Sequence, residues 1–122
     1  MKKIVLAGLV LLLAACYGGG GKVSQIPSMM SPSGMANQEA ANKNNEGVDH
    51  LVQGHYDVAD PLFVQAISAQ PDFAEAHFNL GVTLDGKGKH EEATEAFKKA
   101  VEFGKNNPKI AESEIVKKHL GM

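Results

Sequence analysis

Displaced by 34 residues, the stretch 40–73 matches 74–107 at eight positions: Ala40/Ala74, Asn45/Asn79, Gly47/Gly81, Val48/Val82, Gly54/Gly88, Ala59/Ala93, Phe63/Phe97 and Ala66/Ala100. Two unrelated windows of that length match at roughly two positions at ordinary composition. Similar pairs such as Asp57/Glu91 and Ile67/Val101 extend the correspondence. A fixed period of this size marks a stacked repeat, in which each unit needs its neighbour to bury its apolar face. The matching residues are the ones geometry demands. Gly47 and Gly81 lie inside a helical stretch, where Gly costs about 1 kcal/mol against Ala, so a partner helix is expected to pass close by. Ala59 and Ala93 are the small residues opposite. Gly54 and Gly88 fall between helices, where a positive φ is cheap only for Gly. The period predicts two helix-turn-helix units, 40–73 and 74–107.

This pattern resembles the tetratricopeptide repeat, whose unit runs aromatic, Leu-Gly, aromatic, turn Gly, Ala, aromatic, Ala and a closing Pro. The second unit supplies His77, Leu80, Gly81, Leu84, Gly88, Ala93, Phe97 and Ala100. The first supplies Gly47, Gly54, Tyr56, Ala59, Phe63, Ala66 and Pro71. It departs at Lys43 and Glu46, where the family has an aromatic and Leu, and Lys105 replaces the closing Pro of unit two. The resemblance covers residues 40–107. It implies an all-α fold: two repeats of a right-handed α-solenoid, followed by a capping helix. Asn107-Pro108 restarts a helix as N-cap and first residue, predicted over 108–120 with Ala111, Ile115, Val116 and Leu120 on its apolar stripe. Asp72 to Glu75 reads as a capping box for the third helix.

The resemblance also implies a concave groove lined by the first helices of the two repeats. The facing positions are Ala41, Asn44, Val48 and Leu51, then Glu75, Phe78, Val82 and Asp85. They form an apolar centre with an acidic edge, suited to a protein or peptide partner with apolar anchors. A branch of the family grips C-terminal carboxylates with Lys and Asn along the groove. Asn79 and Lys109 fall at two of those places, but Asn44, Val48 and Ser113 do not match the others, so that reading is not adopted. Two repeats are fewer than such arrays usually need, which leaves room for a homo-oligomer.

The N-terminus reads as an address. Met1-Lys2-Lys3, the ten-residue apolar run Ile4–Leu13 and Ala14-Ala15 make a signal peptide, 1–15. The run is too short to span a bilayer, which takes about 20 residues. Leu13-Ala14-Ala15-Cys16 resembles the lipobox of bacterial lipoproteins, which implies acylation of Cys16 and cleavage before it. Cys16 is the single cysteine of the chain, so an intramolecular disulfide is not available to it. Tyr17, in place of the Asp that signals inner-membrane retention, points to the outer membrane. Residues 16–36, rich in Gly, Ser and Pro, have no helical or strand period and read as a flexible tether.

The 12 basic residues are all Lys, and the formal net charge is −2. Without Arg, and with a pI near 6.2, nucleic-acid binding is not expected. Of the five histidines, His50, His55, His77, His90 and His119, no two have His-x3-His spacing. His50, His55 and Asp57 could meet round the first turn, but a solvated face explains them. There is no nucleophile motif, phosphate loop or CxxC pair. No metal, cofactor or enzymatic activity is expected.

Overall fold

The computed structural model describes residues 25–122. The expected signal peptide 1–15, the expected lipid-bearing Cys16 and residues 17–24 lie outside the described residues. Six helices stand among the described residues, with no strand: α1 Gln38–Leu51, α2 Tyr56–Ala69, α3 Ala74–Gly86, α4 His90–Phe103, α5 Pro108–Ala111 and α6 Glu114–Leu120. α1 packs on α2 and α3 on α4, α2 packs on α3, and α4 carries α5 and α6. This is consecutive helix-pair packing, an all-α repeat architecture. No helix among the described residues is long and apolar enough to cross a membrane.

Each hairpin closes on a glycine, Gly54 at φ +76° and Gly88 at φ +78°, where a Cβ would be strained. The two helices of each pair approach by laying a phenylalanine ring over a helical glycine. A Cβ on Gly47 would stand 2.6 Å from the Phe63 ring, and one on Gly81 would stand 2.6 Å from the Phe97 ring. Phe63 and Phe97 are fully buried. They join Val48, Leu51, Phe78, Val82, Ile110 and Val116 in one core running through both repeats and the C-terminal helices.

The start of α1 is capped by Asn37, whose Oδ1 accepts the Ala40 N–H at 3.0 Å. Its Nδ2 donates to the Ala69 carbonyl at 2.8 Å, tying the start of α1 to the end of α2. The expected capping box at Asp72 does not form. Phe73 takes the N-cap position without a side-chain cap, and Asp72 is exposed. Burying the Phe73 ring against Ala40, Ala66 and Ala76 sets that entry, because a buried aromatic is worth more than one exposed cap.

The C-terminal helix is not continuous over 108–120. Ser113, in extended conformation at ψ 129°, splits it into α5 and α6. The break lets Ile110 join Val116 of the expected stripe at full burial, while Ala111, Ile115 and Leu120 of that stripe are only half-buried.

His77 is 4% exposed, and its Nε2–H donates to the Pro71 carbonyl at 2.8 Å. Burial lowers its pKa below the ordinary 6.5, against the raising effect of that hydrogen bond. The unfolded chain therefore takes up a proton here at a higher pH than the folded one. Stability is expected to fall as pH drops below about 6.5 towards the folded pKa, with a slope of at most about 1.4 kcal/mol per pH unit. Urea midpoints at pH 7.5 and 5.5, for wild type beside His77→Gln, check this. The variant should lose less on acidification than wild type does.

Candidate partner-binding groove

The concave face is occupied by the chain itself. Residues 26–31 lie against α1 and α3 as a strap that is neither helix nor strand and reach α1 through a turn at Gly34, φ +75°. The flexible-tether expectation is therefore corrected for 25–36. Ile26 and Met29 pack against the core cluster that holds Val48, Phe78 and Val82.

The strap is held mainly through its backbone. The Met29 N–H donates to Asn79 Oδ1 at 2.8 Å, and Asn79 Nδ2 donates back to the Met29 carbonyl at 2.7 Å. One side-chain amide thus satisfies both main-chain groups of one residue. Asn44 Nδ2 donates to the same carbonyl at 3.1 Å and to Ser31 Oγ at 3.1 Å. Asn44 Oδ1 accepts from Asn79 Nδ2 at 2.8 Å, which fixes the two amides against each other. Two residues further on, the Ser31 N–H donates to Asn45 Oδ1 at 2.8 Å, and Ser31 Oγ donates to the Ala41 carbonyl at 3.0 Å.

Asn45 and Asn79 are equivalent positions of the two repeats. Each accepts a main-chain N–H from the strap, and the two donors are two residues apart. In an extended chain alternate residues face the same way, so a duplicated asparagine can grip alternate peptide groups. Main-chain contacts of this kind supply affinity with little demand on side-chain identity.

The predicted lining divides accordingly. Ala41, Asn44, Val48, Phe78 and Val82 stand under or beside the strap and are buried. Leu51 is fully buried in the core rather than facing a groove. Glu75 lies at the far end, where its Oε1 accepts from Asn107 Nδ2 at 3.2 Å. Asp85 turns away from the groove. It is in the last turn of α3, where its Oδ1 accepts from His90 Nδ1 at 2.7 Å and His119 Nε2 at 2.9 Å. Burial works to raise the Asp85 pKa, but these two hydrogen bonds and the charges behind them hold it below the ordinary carboxylate value.

Sequence reasoning left Asn45 out of the groove and placed Asn79 along it only in the carboxylate-gripping reading that was not adopted, although both stood among the eight identities. A polar residue repeated inside two helices is the signal. The trio of His50, His55 and Asp57 does not assemble. The two rings lie 5.8 Å apart, while Asp57 faces the Lys87 ammonium at 3.4 Å, which also binds Asp60 at 2.8 Å.

The sequence profile described as tetratricopeptide repeat matches residues 44–108, more than half of the 122-residue chain. No individual curated protein and no solved structure matches it. The 34-residue period, the glycine–phenylalanine helix pairs and this match agree, and the chain belongs to the tetratricopeptide repeat family.

Proposed function

We propose that this protein is a lipid-anchored interaction module of the bacterial envelope. Its groove receives an extended segment of a partner protein, and its own strap holds that place in the free chain. Tetratricopeptide repeats generally mediate protein–protein interaction and carry no catalytic machinery. The observation that carries the reading is the grip of the repeat-equivalent Asn45 and Asn79 on alternate main-chain N–H groups. A segment with an apolar residue at each of two positions three apart, as Ile26 and Met29 are, would fit the same bed.

Export and anchoring rest on the signal-like start and on Leu13-Ala14-Ala15-Cys16. Acyl chains on Cys16 would hold the domain at the outer membrane, since more than one chain gives stable attachment. Eight residues separate Cys16 from the described chain. The groove would then lie within about 30 Å of the lipid, the reach of that many residues at full extension. A permanent subunit of an envelope or secretion complex is the second reading. It is favoured by the groove being already filled, which would leave another face of the repeats as a fixed interface.

The test is a chain in which residues 25–35 are replaced by a Gly/Ser stretch of equal length, titrated with a synthetic peptide of residues 25–33. Saturable binding in trans, weakened at least tenfold by Asn45→Ala, is expected. No binding by a folded protein would reject the groove as a peptide site and leave the fixed-subunit reading. Labelled palmitate incorporated by wild type and lost in Cys16→Ser tests the anchor separately.

A further inference from the structure

We propose that Asp85, His90 and His119 form a site for a divalent transition-metal ion of the zinc class. The three residues come from separate elements: the last turn of α3, the first residue of α4 and the last turn of α6. Among the described residues their ligand atoms lie within 4.8 Å of one another. Zinc bonds of about 2.0–2.2 Å in tetrahedral arrangement hold donor atoms roughly 3.3 Å apart, so small side-chain shifts would complete the set. Two imidazoles with one carboxylate is a donor set for zinc or its transition-metal neighbours rather than for calcium or magnesium, which take oxygen.

The contacts around the cluster point the same way. His119 Nδ1 lies 2.9 Å from Thr94 Oγ1, which also donates to the His90 carbonyl at 2.9 Å. His119 Nε2 and His90 Nδ1 both face Asp85 Oδ1, at 2.9 Å and 2.7 Å. An ion bound there would take the place of the protons that these ring nitrogens share with the carboxylate. Thr94 then acts as the outer partner that orients a ligating histidine.

The His119 side chain is 8% exposed and its ring packs on Phe97, centroids 5.0 Å apart. Its position is therefore set before any ion arrives. The His90 side chain is 69% exposed, which leaves a coordination position open to water. A bound ion would staple α6, at the end of the array, to the turn of repeat two.

The experiment is calorimetric titration of the untagged full chain in detergent with zinc chloride alone, with melting temperatures read in zinc and in EDTA. One zinc per chain and a rise of several degrees in melting temperature are expected. Because His90 is exposed, His90→Ala should remain folded in EDTA, losing only its surface bond to Asp85, while zinc binding weakens at least tenfold. His55→Ala should bind zinc as wild type does. A wild-type chain that gives no binding heat and no shift overturns the proposal. So does a His90→Ala chain that binds zinc as tightly as wild type.

Discussion

Phe97→Ala is expected to be the most damaging single truncation in the molecule, costing about 3–5 kcal/mol. The ring is fully buried, and its neighbours cannot all close over its loss. It lies on the Gly81 backbone, edge-on to Phe78 at 5.8 Å, beside His119 and within the core that holds Ile110 and Val116. Removing it detaches α4 from α3 and the C-terminal helices from both. A domain of this size has about 4–13 kcal/mol in all, so the melting temperature should fall by more than about 12 °C. Thermal unfolding followed by circular dichroism checks this.

The other side of the contact gives a smaller, signed effect. Gly81→Ala adds a Cβ 2.6 Å from the ring. Overpacking at about 1–3 kcal/mol opposes a helix-propensity gain of about 1 kcal/mol, so the net is a modest loss. Combining Gly81→Ala with Phe97→Leu should cost less than the sum of the two single changes, because the smaller side chain makes room for the methyl group. Additive losses would mean that the glycine serves something other than the ring.

The close approach at Gly47 and Gly81 was legible before any coordinates, because period and spacing are local properties, but the expected partners were Ala59 and Ala93, whereas the Phe63 and Phe97 rings lie on the glycines. Glycine inside a helix, a phenylalanine sixteen residues on and a glycine turn between them recur together. The strap was not legible in the same way. Residues 25–36 have no apolar period, and their order comes from main-chain hydrogen bonds to asparagines on other elements, which composition does not display. Asp85 occupies a groove register position by counting along α3. It stands at the helix end, however, where two histidines brought in by α4 and α6 draw it the other way. A scan for metal ligands within one helix could not join those three. The C-terminal break at Ser113 escaped for a related reason: Ala111, Ile115, Val116 and Leu120 make a plausible stripe on paper. Of these Val116 is fully buried, but the residue buried with it is Ile110, which one straight helix would not present on the same face.

Asn79→Ala is expected to release the strap while leaving the helices in place. Six hydrogen bonds hold residues 29–31 to α1 and α3, worth about 3–9 kcal/mol together at 0.5–1.5 each. Ile26 and Met29, both half-buried, add about 1 kcal/mol or somewhat more apiece. Against this stands the ordering of six residues at about 1–2 kcal/mol each, reduced at Pro27, whose φ is already fixed. The two sides are within a few kcal/mol of balance, so docking is marginal. Asn79→Ala removes both of the direct bonds to Met29 from α3 and the amide that positions Asn44. Amide exchange at Met29 and Ser31 should quicken at least a hundredfold, with helical circular dichroism retained and global stability down by about 1–3 kcal/mol. The bed left open would carry Val48, Phe78 and Val82 at its floor. The variant should therefore bind an apolar dye such as ANS where wild type does not. Unchanged exchange at Met29 would place the hold in Ile26 and the Met29 side chain instead. The groove would then select partners by apolar anchors rather than by the main chain.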